Sequence, residues 1–235
     1  MARWVAVSGG KSGARVWRGP GLHRKVGPPD QIEEEAERLI WLRGQGIPCP
    51  PVVRHAPGLL ETASLAGRSG EEPWAEELKP RVAESVVLAL RSLHALPVAD
   101  CPFDRSLAVT VPLAEAVTAL GEIDLDDLDP ERQGWSAHQL LHELHRTVPT
   151  SEDLAVCHGD PTLANLIFDA EGGLVGMVDV GRLGRADRYR DLAIATRSVA
   201  GDLGEEYAEQ LLRGYGLEHP DRARLDFYRL LDEFF

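Results

Sequence analysis

The residues best suited to chemistry stand in two short stretches, His158-Gly159-Asp160-Pro161-Thr162-Leu163-Ala164-Asn165 and Asp179-Val180-Gly181. Between them, Leu166-Ile167-Phe168 and Leu174-Val175-Gly176-Met177-Val178 flank Glu171-Gly172-Gly173, the pattern of a strand hairpin. A hairpin returns its two ends to one place, so Asn165 and Asp179 are expected side by side, with Asp160 close by. Two carboxylates and an amide oxygen at one point suit a hard cation such as Mg2+. Asp160 is then the group that can accept or orient the proton of a hydroxyl nucleophile. Singly, His158, Asp160 and Asn165 are ordinary loop-capping types. The specific signal is their joint spacing: Asp-x4-Asn, a hairpin, then Asp-x-Gly.

That spacing is the layout of a protein-kinase catalytic loop and its metal-binding turn. Such a site needs a turn over the phosphates, a strand lysine, and a helix acid to hold the lysine. Gly9-Gly10-Lys11-Ser12-Gly13 can supply the turn, with backbone N–H groups and the Ser12 hydroxyl facing phosphate oxygens. Lys25 lies on a strand candidate, Leu22 to Val26, and Glu35 lies in the first turns of the helix that follows. Glu33, Glu34 and Glu37 are neighbouring acids, and a solvated acidic helix face is the plainer account of that group. Arg24 is an alternative cation, but strand alternation points it away from Lys25.

The elements that must position these residues fall into two parts. Residues 1–65 read as a small β-rich lobe. Its strand candidates are Trp4 to Val7, Ala14 to Trp17, Leu22 to Val26 and Leu59 to Thr62. Pro28-Pro29-Asp30 breaks the strand pattern. A helix is then expected from about Gln31 to Arg43, with Ile32, Ala36, Leu39 and Ile40 on one face. Residues 66–235 read as a larger, mainly helical lobe behind a connector at Ala66 to Gly70. Helices are expected within Trp74 to Leu96, from Leu113 to Leu120 and around Leu140 to Leu144. A strand follows at Leu154 to Cys157, and two or three helices lie beyond the hairpin. The fold class is thus α+β and two-lobed, like a protein kinase.

Composition narrows the partners. Twenty-five Lys plus Arg against 38 Asp plus Glu give a formal charge of −13, which excludes holding a nucleic-acid backbone by bulk charge; it could attract cationic small molecules, although simple solubility is the plainer account. Three cysteines, Cys49, Cys101 and Cys157, match no zinc spacing and read as free thiols in a reducing compartment. No apolar run is long enough for a signal peptide or a membrane span. The expectation is a cytoplasmic protein, a monomer, with no membrane partner.

Several strings carry a family resemblance. Val156 to Asp160, Asp179 to Arg188, Asp100-Cys101-Pro102-Phe103, Arg38 to Leu42 followed by Gly46-Ile47-Pro48, and the terminal Leu230 to Phe235 resemble the aminoglycoside phosphotransferases, most closely the 3′-phosphotransferase (kanamycin/neomycin kinase) branch. The resemblance implies a kinase-like fold with ATP and Mg2+ between the lobes, and transfer of the γ-phosphoryl group to an antibiotic hydroxyl, the 3′ position favoured, which confers resistance. It implies Asp160 as catalytic aspartate and Asn165 and Asp179 as metal ligands. Lys25, held by Glu35, and Ser12 would lie on the phosphates. Leu60 to Ser64, including Thr62, would be the hinge that binds adenine. For the antibiotic it implies Asp232, Glu233 and the α-carboxylate of Phe235, an acidic loop represented by Asp127 and Glu131, and the arginines Arg182 and Arg197. Charge-assisted hydrogen bonds from carboxylates meet cationic amines well.

Some features depart from that branch. Pro161 is more familiar in streptomycin 3″-kinases, and the small lobe is shorter than is typical. A streptomycin 3″-kinase, a kinase of another small hydroxylated metabolite and a nucleotide-binding pseudoenzyme remain open alternatives.

Overall fold

A computed structural model describes residues 4–7 and 14–235 of the chain. Ser12 and the whole glycine-rich turn, Gly9 to Gly13, lie outside the described residues. Five antiparallel strands form the first sheet: β1 (Val5–Val7), β2 (Arg15–Gly19), β3 (Leu22–Val26), β4 (Val52–Ala56) and β5 (Leu59–Ala63), in the order β1-β2-β3-β5-β4. β3 occupies the span expected from the sequence. Strand β4 was not expected; it follows Pro48, Pro50 and Pro51, which mask its start, and it pairs with β5 through a bulge at Val52/Arg54.

Helix α1 (Pro29–Gly44) packs on this sheet. Pro29 does not break structure here. It occupies the first turn of the helix, where its missing N–H costs nothing and its fixed φ is already helical. The buried face holds Ile32, Glu35, Ala36, Arg38, Leu39 and Leu42. Ile40, expected on that face, is exposed, and Glu35 and Arg38 take buried positions because Glu35 pairs with Lys25 of β3 and Arg38 donates to the Leu183 carbonyl.

The larger lobe is helical: α2 (Lys79–His94), α3 (Leu107–Leu120), α4 (Ala137–Thr147), α5 (Arg188–Asp202), α6 (Glu205–Tyr215) and α7 (Arg222–Asp232). Helix α3 starts six residues before the expected Leu113 and runs through Pro112. Val82, Val86, Leu90 and Leu93 of α2, spaced for one helical face, are fully buried. They belong to a core cluster that also includes Leu140, Leu144, Leu166, Leu192, Leu211 and Phe227.

Two small sheets carry the loops of interest. β7 (Leu154–Cys157) pairs with the unexpected β10 (Gly184–Asp187). The expected hairpin is present as β8 (Leu166–Phe168) and β9 (Leu174–Met177), with Leu166 opposite Met177, and β6 (Arg68–Ser69) adds to its edge. The Ala66 to Gly70 connector is therefore partly a strand.

Candidate active site

Strand β7 ends at Cys157 and delivers His158, Gly159 and Asp160 into a loop that the fold holds from behind. Both oxygens of Asp191, a wholly buried residue of α5, take backbone N–H bonds from that loop: His158 N to Oδ2 at 2.7 Å and Gly159 N to Oδ1 at 2.8 Å. Gly159 has φ +88, and a Cβ there would collide with the carbonyl oxygen of Arg182, so only glycine lets the loop pass. His158 accepts the Asp160 N–H at Nδ1 (3.3 Å), and its Nε2–H donates to Val178 O at 3.0 Å, tying the loop to the end of the hairpin.

Behind Asp191 the chain of donors continues. Arg188, which can only donate, reaches the Tyr215 hydroxyl at 3.2 Å; that hydroxyl meets His94 Nδ1 at 2.8 Å, and His94 Nε2 meets Asp191 Oδ2 at 3.1 Å. Burial acts to raise the Asp191 pKa, but the His94 hydrogen bond and charge, with the backbone donor, outweigh it, and the net direction is down. His94, Cys157 and Asp191 converge within 4.8 Å, yet both carboxylate oxygens are already filled by N–H donors. That arrangement holds a loop rather than an ion.

In front of the loop, Asn165 Nδ2 donates to Asp160 Oδ2 at 2.9 Å and to Asp160 O at 3.0 Å. Both partners are acceptors, which fixes the amide orientation and leaves Asn165 Oδ1 for another ligand. Burial raises the Asp160 pKa above the usual aspartate range; Arg182 opposes this, and the carboxylates of Asp232 and Asp179 add to it. The hairpin brings the second metal candidate to the same place: Val178 N donates to Asn165 O at 2.9 Å, and Asp179 follows directly. Asp179 sits at φ 55, a left-handed backbone that aspartate tolerates better than most residues. Its side chain is 46% exposed and faces open cleft. Amide and carboxylate oxygens are the hard donors that Mg2+ takes, so the residues present fit such an ion.

The small lobe closes the site from above. Lys25 Nζ lies 2.7 Å from Glu35 Oε2 and 2.9 Å from Asp179 Oδ1. Glu35 is thus the partner among four nearby acids; Glu33, Glu34 and Glu37 are exposed. Burial acts to lower the Lys25 pKa, but the charges of Glu35 and Asp179 more than offset it, and the lysine stays protonated. Arg24 points the other way, with Nη2 2.6 Å from Glu61, as strand alternation requires. Thr62 lies inside β5, opposite His23 of β3 and Val52 of β4, and the chain leaves the sheet only after Ala63.

The remaining candidates separate. Asp232 Oδ1 accepts from Arg182 at 3.0 Å and Oδ2 from Arg197 at 2.5 Å, while Arg197 Nη1 reaches both oxygens of Asp129 at 3.0 and 3.1 Å. The acid the loop contributes to this network is therefore Asp129, preceding a short 3-10 turn at Pro130–Arg132. Asp127 is exposed in the loop. Glu131 is not brought to Asp232; it lines a separate hollow of about 640 Å³ with Trp135, Arg146 and Asp226. Glu233 is turned inward, its side chain 5% exposed, bracing the Asp129 backbone N–H (3.2 Å) and Arg132 (3.2 Å). Phe235 is exposed and lines a cleft of about 310 Å³ together with Lys25, Asp179 and Arg182. Asp191, His94 and Arg132 were missed as functional candidates; Asp129 stands in the sequence among the loop acids Asp124, Asp126, Asp127 and Glu131, of which Asp127 and Glu131 were preferred.

With this geometry in view, the comparisons are direct. The phosphotransferase enzyme family matches residues 4–228. The chain belongs to that family. It is 42% identical to an aminoglycoside 3′-phosphotransferase of Streptomyces fradiae, over 99% of this chain and 95% of the relative. Among solved structures it superposes on an aminoglycoside-3′-phosphotransferase of type VIII with TM-score 0.92 and 45% identity, covering 100% of this chain and 94% of that one. It also superposes on aminoglycoside phosphotransferase APH(3″)-Id from Streptomyces rimosus in complex with ADP and streptomycin, with TM-score 0.87 and 30% identity over 98% and 92% of the two chains. The chain shares its two-lobed kinase-like fold with these two solved structures, and it is a phosphotransferase enzyme.

Proposed function

We propose that this phosphotransferase moves the γ-phosphoryl group of ATP to a hydroxyl of an aminoglycoside antibiotic, the 3′-hydroxyl favoured, and so confers resistance. The observation that carries the reading is the Lys25–Asp179 contact, 2.9 Å across the lobes, which sets a phosphate-binding end directly against the Asp160–Asn165 loop. Residues 1–65 act as the nucleotide lobe with the hinge around Thr62 at its end, and residues 66–235 as the catalytic and acceptor lobe. Ser12, outside the described residues, would contact the terminal phosphates, as the family resemblance implies.

The transition state of phosphoryl transfer is loose, so positioning and charge neutralisation supply most of the catalysis. Lys25, held by Glu35, neutralises phosphate charge. Asn165 and Asp179 would hold Mg2+, which would supply positive charge against the phosphates. Asp160, kept partly out of water, orients the acceptor hydroxyl and takes its proton late. Asp232 and Asp129 supply anionic oxygens for the drug's amines, Phe235 lines the cleft beside them, and Arg182 and Arg197 hold Asp232 in place. Asp127 offers a further acid from the loop, whereas Glu131 and the buried Glu233 act at a distance, as parts of the loop's support. The free, buried Cys49, Cys101 and Cys157 fit a reducing cytoplasm, and a monomer suffices for the site. Among the described residues no helix is long and apolar enough to cross a membrane.

A streptomycin 3″-kinase is the second reading, favoured by Pro161 next to the catalytic aspartate. The test is ADP release with Mg-ATP and kanamycin, neomycin, streptomycin or no acceptor, with Asp160→Ala as the blank. Turnover on kanamycin or neomycin that vanishes in the variant is expected. Turnover on streptomycin alone selects the second reading, and nucleotide binding without acceptor-dependent turnover removes both.

A further inference from the structure

Arg190 is out of keeping with its surroundings. It lies in the first turn of α5, is 4% exposed, and its Nη1 is buried with no hydrogen-bond partner among the described residues. No ion pair with a carboxylate forms among the described residues. Every other cation around it is engaged: Lys25 by Glu35 and Asp179, Arg105 by Glu34 (3.2 Å) and Gly181 O (3.3 Å), Arg182 by Asp232 (3.0 Å). A buried guanidinium without a partner is costly, and native interiors rarely keep one without use.

Its position says what kind of partner is missing. Arg190 lines the same 310 Å³ cleft as Lys25, Arg105, Asp179 and Arg182. Burial lowers the Arg190 pKa, and the neighbouring Arg182 charge lowers it further against the pull of Asp232 and Asp191. Arg105 is pushed down to about 10, by burial first and then by Arg38 and Arg190. Arg105, Arg182 and Arg190 therefore repel one another across an open space that Glu34, Glu35 and Asp179 also line; those acids are already engaged by Arg38, Arg105 and Lys25, so an anion placed there would relieve the three arginines. A cationic drug amine would not. The planar fork of guanidinium matches phosphate oxygens, and phosphoryl groups are what this enzyme moves through the cleft.

We infer that Arg190, with Arg105 and Arg182, forms a phosphoryl-anion subsite in the interlobe cleft beside the Lys25–Asp179 end. The anion is either the terminal phosphate of the nucleotide or the phosphate newly attached to the acceptor; the second source rests on the acceptor reading above, the first does not.

Equilibrium binding to the whole chain separates these. Wild type, Arg190→Gln and Arg190→Lys are titrated with inorganic phosphate, ADP, a non-hydrolysable ATP analogue, kanamycin and enzymatically phosphorylated kanamycin, with the Tm of each protein recorded. Arg190→Gln is expected to weaken inorganic phosphate by about tenfold, the scale of one lost charge-assisted contact, while ADP and kanamycin keep their affinities. Arg190→Lys should recover part of the loss. Weakening of the ATP analogue assigns the subsite to the nucleotide; weakening of phosphorylated kanamycin assigns it to the product. Unchanged binding of inorganic phosphate, ATP analogue and phosphorylated kanamycin overturns the subsite. So does a fall in Tm with all ligands weakened alike, because Arg190 then serves only as a buried counter-charge to Asp191 and Asp232. If phosphorylated kanamycin cannot be made, the acceptor reading fails while the phosphate and nucleotide arms still decide the subsite.

Discussion

The loop from His158 to Asp160 separates two carboxylates with opposite fates. Behind it, Asp191 is wholly buried and every oxygen is met by an N–H donor, so its pKa falls despite burial. In front of it, Asp160 is half-buried, has one amide donor on Oδ2, and shares its surroundings with Asp232 and Asp179, so its pKa rises. Burial pushes both upward; the difference lies in donors and like charges. Asp191 is a carboxylate spent on structure, and Asp160 one left able to take a proton.

The sharpest way to break that contrast is to remove each acid in turn. Asp160→Ala should lower kcat by two to three decades, on the order of 3–4 kcal/mol of transition-state stabilisation, with Tm little changed. Steady-state ADP release with saturating acceptor, set against a thermal melt, checks both halves. If Asp160→Ala melted as far as it slowed, the front carboxylate would be structural too.

Asp191→Asn should do the reverse. The amide keeps one acceptor oxygen but turns an NH2 group toward backbone N–H donors. A cost of about 3 kcal/mol is expected, the scale of losing hydrogen bonds to a buried charge. Denaturant unfolding would show it as a lowered midpoint with unchanged slope. Gly159→Ala attacks the same support more gently. The left-handed φ and the closeness of the Arg182 carbonyl predict a loss of about 1–3 kcal/mol and a lowered kcat, as Asp160 is displaced. A variant as stable and as active as wild type would mean that the loop is not pinned there.

The same contrast explains what could be read from the sequence. Asp160, Asn165 and Asp179 were legible because a hairpin is local: strand pattern and turn residues alone return its ends to one place. Lys25 and Glu35 were legible because one strand and the next helix pair over ten residues. Asp191 was not, since it sits in Asp191-Leu192-Ala193-Ile194-Ala195, where an acid reads as the polar side of a helix, and its partners lie 32 and 97 residues away. Arg132 and Glu233, 101 residues apart, were hidden for the same reason. Ile40 was misplaced because helical periodicity cannot say that Arg38 and Glu35 will find partners and take the buried face.

The finest test separates the two carboxylates by pH. The raised Asp160 pKa means that kcat/KM, which reports the free enzyme, should begin to fall on the acid side at a pH above the ordinary aspartate range. The depressed Asp191 pKa contributes stability that is fully present above the unfolded aspartate pKa and is lost as pH falls through the lower, folded value. Asp160 has the opposite sign: its contribution is present below the unfolded pKa and is lost as pH rises through the folded one. Activity should therefore fail at a pH where the fold is still intact, giving two separate acid limbs, one in kcat/KM and one in the melt. Asp232→Asn removes a like charge beside Asp160 and frees Arg182, and both changes favour the ionised form. The activity limb should move down while the unfolding limb stays in place. Limbs that coincide in the wild type, or that move together in Asp232→Asn, would mean that the loop couples the two acids and that front and back do not titrate independently.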